Sequence, residues 1–112
     1  MKTDTDMYSH LQKLSDEEVT ELRRDAGQWL KQLRETQGLS QRDLAEKVDV
    51  EYYTFISQVE SGRGRIPPDR YRAWAKALNV PPREFVITLM RYYDPVTYRI
   101  LFNKASNLAQ VD

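Results

Sequence analysis

The chain has 112 residues, no cysteine, one histidine, and 17 basic against 17 acidic side chains. That length fits one domain, and the lack of cysteine excludes a disulfide framework, a thiolate metal site and a cysteine nucleophile. No apolar run approaches the roughly 20 residues that span a bilayer, and residues 1–6 lack the apolar core of a signal peptide, so the expectation is a cytoplasmic protein without a membrane partner.

Net neutrality hides a segregation of charge. Residues 1–22 carry Lys2 and Lys13 against six carboxylates, Asp4, Asp6, Asp16, Glu17, Glu18 and Glu21. Residues 62–76 carry Arg63, Arg65, Arg70, Arg72 and Lys76 against Asp69 alone. One face of a neutral protein can therefore be basic.

Residues 1–14 read as a flexible acidic leader. Ser15-Asp16-Glu17-Glu18 is a capping-box start, in which the Ser15 hydroxyl accepts the Glu18 backbone N–H and Glu18 reaches back. After it Val19, Leu22, Ala26, Trp29, Leu30 and Leu33 recur at spacings of three and four, the stripe of one helix over 16–37. Gly38 stops it, and Gly27 leaves open a break into two helices. Ser40 caps a short second helix over 41–48, with Leu44, Ala45 and Val48 apolar. Asp49-Val50-Glu51 is a tight turn, and a third helix over 52–61 ends at Gly62. A basic loop, 63–67, leads to Pro68, which suits the first position of a fourth helix carrying Tyr71, Trp74, Ala75 and Leu78 and stopping at Asn79. Pro81 and Pro82 open a fifth helix over 83–93, and Pro95 starts a short apolar stretch to Phe102. Residues 103–112 form a polar tail expected to fray. No segment alternates with period two, so the fold class is all-α.

The unit that carries function is the pair of short helices joined by the tight turn. Ile56 and Val59 mark the buried side of the third helix, and 100° per residue places Tyr52 on that same side. Glu51, Thr54, Ser57, Gln58 and Ser61 fall opposite. That face has no Leu, Ile, Val or Lys. Its short hydrogen-bonding side chains suit base edges in a DNA major groove, and the basic loop follows immediately. An ordinary solvated face would be richer in Lys and Glu.

The run Leu33-Arg34-Glu35-Thr36-Gln37-Gly38-Leu39-Ser40-Gln41-Arg42-Asp43-Leu44-Ala45-Glu46-Lys47-Val48, followed by Ile56-Ser57-Gln58-Val59-Glu60-Ser61-Gly62, resembles the helix-turn-helix domain of the phage Cro and lambda-repressor type, the XRE family. The resemblance covers about residues 26–80. It implies a five-helix lambda-repressor-like domain, placed here at 15–80 with helical extensions at both ends. It also implies a dimer whose third helix reads double-stranded DNA in the major groove. Gln58 then touches a base edge, with Tyr53, Thr54 and Ser57 as further readers. Gln41, Arg42, Ser61, Arg63, Arg65 and Arg70 then meet the DNA backbone. Arg34 and Glu60 match an ion pair common in the family.

Two departures from the family pattern stand out. Asp49 occupies a turn position that is usually Gly, and Asp tolerates the left-handed conformation. The spacing from Val50 to Ile56 is one residue longer than usual, with the extra residue in the turn or the first turn of the third helix. Gln58 keeps its register from the C-terminal anchor, whereas Tyr52, Tyr53 and Thr54 carry a one-residue ambiguity.

Other features have plainer explanations. His10 has no second ligand at helical spacing, so no metal is expected. A helix N-terminus accounts for Asp16, Glu17 and Glu18. Trp29, Tyr71 and Trp74 fill the core, and Gly62-Arg63-Gly64 is too short to cradle a nucleotide phosphate. No cofactor and no catalytic set is expected. Residues 81–102 are apolar nearly all round. One reading has them complete the core against the N-terminal helix. The preferred reading packs one side on the domain and the other on a second copy, through Phe85, Leu89, Met90, Tyr93, Ile100, Leu101 and Phe102. The function expected is a sequence-specific transcriptional regulator, a repressor binding an inverted-repeat operator as a homodimer. The alternative is an antitoxin or antirepressor-like module that turns the same fold toward a protein partner.

Overall fold

The first helix, α1 (Asp16–Thr36), begins on a complete capping box: Ser15 Oγ accepts the Glu18 N–H, and the Glu18 carboxylate accepts the Ser15 N–H, both at 3.1 Å. A computed structural model describes residues 14–102 of the chain, so the expected leader, apart from Leu14, and the tail 103–112 lie outside the described residues, as does His10. Five more helices follow: α2 (Gln41–Lys47), α3 (Thr54–Ser61), α4 (Tyr71–Ala77), α5 (Pro82–Tyr93) and α6 (Pro95–Phe102), with a 3-10 turn, Pro68–Arg70, leading into α4. There is no strand among the described residues.

Gly27 does not break α1. It is buried where the C-terminal end of α3 crosses, and a Cβ there would collide with the backbone carbonyl of Glu60. Glycine is thus required by close approach rather than by a turn. Ser40 caps α2 with a second box, accepting the Asp43 N–H at 3.0 Å while the Asp43 carboxylate accepts the Ser40 N–H at 2.9 Å.

Four helices end in the same way. Gly38, Asp49, Gly62 and Asn79 take φ of 70°, 57°, 85° and 60° after α1, α2, α3 and α4. In each case the following N–H returns to a carbonyl five residues earlier, as Val50 does to Ala45 at 3.0 Å and Arg63 to Gln58 at 2.9 Å. This is the Schellman pattern, which needs a left-handed residue. Asp49 takes that conformation as a non-glycine residue.

The core gathers Ala26 and Leu30 of α1, Leu44 and Ala45 of α2, Ile56 and Val59 of α3, Ile66 of the loop, and Trp74 and Ala75 of α4. It also includes Phe85 and Leu89 of α5, both fully buried. Trp29 meets Phe85 at 5.5 Å and Tyr92 at 6.2 Å between ring centroids, which clamps α5 along α1. This corrects the expected boundary at residue 80, because α5 contributes to the same core as α1–α4. It also removes Phe85 and Leu89 from the expected dimer surface, since a side chain with no exposure in its own protomer has nothing to offer a second. Among these helices α6 alone contributes no buried residue. It packs chiefly on α5 and leaves Ile100, Leu101 and Phe102 exposed at 48%, 53% and 41%.

Tyr52 is a second correction. Helical geometry placed it beside Ile56, but α3 starts at Thr54, and Tyr52 lies before it with 67% of its surface exposed.

Candidate nucleic-acid interface

The reading helix is held by its buried side. Ile56 and Val59 sit in the core, while Thr54, Ser57, Gln58 and Ser61 are exposed. The Ser61 hydroxyl donates to the Gln58 carbonyl at 3.1 Å, a local tie at the helix end. No side chain caps the start of α3. Instead Tyr52 and Tyr53 carbonyls accept the N–H groups of Phe55 and Ile56 at 3.1 and 2.9 Å. This tight turn leads directly into the helix at Thr54.

Glu60 joins the reading helix to α1 and α2. It accepts from Arg34 through two prongs, Nε to Oε2 at 2.7 Å and Nη2 to Oε1 at 3.0 Å. The remaining Arg34 nitrogen, Nη1, donates to the Leu39 carbonyl at 2.7 Å, just past the end of α1. Both side chains are almost wholly buried, and the Glu60 hydrogen bond raises the Arg34 guanidinium further above its already high ordinary pKa. Gln41 Nε2 also donates to Glu60 Oε1, at 3.1 Å. Its other amide hydrogen stays available at the start of α2.

The N-terminal end of α3 carries a second pairing. The Arg42 guanidinium of α2 lies 4.8 Å above the ring of Tyr53, which is 42% exposed. At the other end, Arg63 is exposed, and Arg65 lies 4.6 Å above the ring of Tyr93 at the end of α5. The Tyr93 hydroxyl accepts the Ile66 N–H at 3.3 Å. Burial raises the Tyr93 phenol above its ordinary value, against the opposing pull of that N–H and of Arg65 and Arg23. Tyr93 was expected at the dimer surface, but its ring and hydroxyl are engaged by the loop of its own protomer. Arg70 also turns inward, donating from Nη1 to the Val48 carbonyl at the end of α2 at a long 3.4 Å. Sequence reading missed Arg23. It lies on α1, where the backbone of residues 23 and 24 packs against Gly62, and a Cβ on that glycine would come within 2.9 Å of the Arg24 Cα. Its spacing from the α1 stripe gives no hint of that neighbour.

Among the described residues no group of three or more His, Cys, Asp or Glu side chains is placed to hold a metal ion, and no helix is long and apolar enough to cross a membrane.

Comparison with known proteins agrees with this geometry. A helix-turn-helix family model matches residues 30–85, half of the chain. No curated protein matches. Among solved structures, the chain is similar to the crystal structure of the restriction-modification controller protein C.AhdI from Aeromonas hydrophila. The two are 32% identical with a TM-score of 0.51, over 58% of this chain and 96% of that one. Two short helices at a tight turn, the second exposing a polar face beside basic residues, place this chain in the helix-turn-helix family of the XRE and Cro type, as a non-enzymatic DNA-binding regulator.

Proposed function

We propose that the protein represses transcription as a homodimer on an inverted-repeat operator, with α3 of each protomer in the major groove. The observation that carries this reading is the exposed face of α3. Thr54, Ser57, Gln58 and Ser61 offer only short polar groups there, on a helix fixed from behind by the buried Arg34–Glu60 pair. Gln58 reads a base edge, since a primary amide donates and accepts together and fits the N6/N7 edge of adenine. Tyr53, Thr54 and Ser57 contribute neighbouring contacts, and Gln41, Arg42, Ser61, Arg63 and Arg65 meet phosphates. Arg70 supports the turn through one long hydrogen bond to the Val48 carbonyl and keeps its other donors for the DNA backbone. The likeness to a restriction-modification controller supports a regulatory role.

The second copy docks on α6. Ile100, Leu101 and Phe102 form the apolar surface left over once α5 has completed the core, and half-buried Met90 of α5 adds to it. A two-fold dimer sets inverted half-sites about one helical turn, roughly 10 base pairs, apart. The same exposed side chains favour the second reading, in which α6 binds a different protein in the manner of an antitoxin or antirepressor.

Titration of random duplex DNA over a salt series separates the readings. Phosphate contacts make log K fall linearly with log salt, and selection from a random pool should then return an inverted repeat. Binding that is absent or insensitive to salt favours the protein-partner reading.

A further inference from the structure

We propose that Tyr93 is a positioning residue for the DNA-backbone contact of Arg65, a role that rests on reading the loop after α3 as a phosphate-binding segment. The loop from Gly62 to Ile66 contains two glycines and, between them, an exposed arginine, and it is fixed at its start, where the Gln58 carbonyl accepts the Arg63 and Gly64 N–H groups at 2.9 and 3.0 Å. It is tied down at Ile66. That side chain is fully buried, and its N–H is taken by the Tyr93 hydroxyl at 3.3 Å. The neighbouring residue is Arg65, whose guanidinium lies 4.6 Å above the ring of the same tyrosine. One side chain therefore holds both the backbone of the loop and the head of its second arginine.

The geometry suits phosphate binding. A guanidinium held over a ring spends none of its five N–H donors on a hydrogen bond there, so they remain able to meet an anion. A long side chain already held in one place loses less freedom when it binds. The Tyr93 phenol is neutral near pH 7 at its ordinary pKa of about 10, which burial raises further, so it does not compete with phosphate as an anion for Arg65. Arg23 of α1 lies close enough to act on the same phenol, which brings a second cation to this corner of the molecule. Tyr93 is also the last residue of α5, with only Asp94 between it and α6. The loop beside the DNA is thus anchored to the helix that leads into the exposed apolar surface.

The test is a double-mutant cycle on the full chain with Tyr93→Leu and Arg65→Ala. It reads DNA affinity and its salt slope, with unfolding midpoints measured alongside. Tyr93→Leu should weaken binding about two- to tenfold, the ordering cost of one long side chain that is no longer held in place before it binds. It should also lower the salt slope toward that of Arg65→Ala, which loses about one phosphate contact. In the Arg65→Ala background the same change should cost less than about twofold. Equal losses in both backgrounds would make Tyr93 merely structural and overturn the proposal, as would no loss in the native background. If Tyr93→Leu does not fold, Tyr93→Phe tests the hydroxyl tie alone: it keeps the ring and frees the Ile66 N–H, so it should weaken binding in the native background and less so in the Arg65→Ala background, and equal losses or none would overturn the proposal. If Arg65→Ala itself leaves affinity and salt slope unchanged, the phosphate-binding reading of the loop is what fails, and the proposal falls with it.

Discussion

Replacing Glu60 with alanine should be among the most destabilising single changes in this protein. Glu60 accepts three hydrogen bonds, at 2.7 and 3.0 Å from Arg34 and 3.1 Å from Gln41, and the Arg34 and Glu60 side chains are only 9% and 4% exposed. Without Glu60 the guanidinium stays in place with the Leu39 carbonyl as its remaining acceptor. Removing one partner of a buried pair costs about 3–5 kcal/mol. Small domains are stable by only about 5–15 kcal/mol in total. At roughly 4 °C per kcal/mol or more for a domain of this size, the melting temperature should fall by at least about 12 °C. Arg34→Met combined with Glu60→Leu removes both charges and should recover most of the loss. Urea denaturation at low and high salt is the assay, since a buried pair is poorly screened and the deficit should persist. A deficit below about 1 kcal/mol, the range of exposed pairs, would refute the reasoning. So would a double variant as unstable as the sum of the two singles.

The remaining predictions concern packing, pH and assembly. Gly27→Ala should lower the urea midpoint by the equivalent of about 1–3 kcal/mol, because α1 and α3 must separate to admit the methyl group; an unchanged midpoint would mean the helices are not in close contact. Glu18 and Asp43 are held below their ordinary pKa values of 4.5 and 3.8, first by the backbone N–H and then by the hydroxyl of Ser15 and Ser40 respectively. A depressed carboxylate stabilises the fold above its unfolded pKa and ceases to do so as pH falls through its folded pKa. Melting temperature should therefore drop on acidification below about pH 4.5, and Glu18→Gln with Asp43→Asn should flatten that limb; an equally steep limb in the double variant would count against the caps. Leu101→Arg should give a folded monomer by ultracentrifugation, because Leu101 is exposed in the protomer, whereas a variant that stays dimeric would move the interface elsewhere. Truncation after Asn79, by contrast, should unfold the protein, since it removes Phe85 and Leu89 from the core.

Four of the six helix starts were legible, because each of these is written in a few adjacent residues, whereas α3 and α4 begin at Thr54 and Tyr71 without a side-chain cap and later than their expected starts. Ser15 with Glu18 caps α1, Ser40 caps α2, and Pro82 and Pro95 begin α5 and α6. Helix ends were nearly as clear, since Gly38, Gly62 and Asn79 mark left-handed positions and Asp49 takes one as well. The pairing of Arg34 with Glu60 came from family resemblance, as nothing local links residues so far apart. The C-terminal segment was misread in part. An apolar helix looks the same whether its second face meets its own domain or another copy, and α5 spends both faces on α1, α4 and α6. Tyr52 was misplaced because periodicity assumes a helix that had not yet begun. The contacts of Arg65 with the Tyr93 ring and of Arg70 with the Val48 carbonyl were invisible for a related reason. Sequence gives an arginine its charge, but whether a ring or a carbonyl lies within its reach depends on elements distant along the chain.

The central claim is that the exposed side of α3 reads bases. It is tested most directly by measuring Gln58→Ala against every single-base variant of the selected operator at several salt concentrations. The account predicts that preference relaxes at one base pair in each half-site, by about 1–3 kcal/mol, while the salt slope stays that of the native protein. If Gln58→Ala weakens every sequence alike and alters no preference, Gln58 does not face the bases, and the register assigned to the reading helix is wrong.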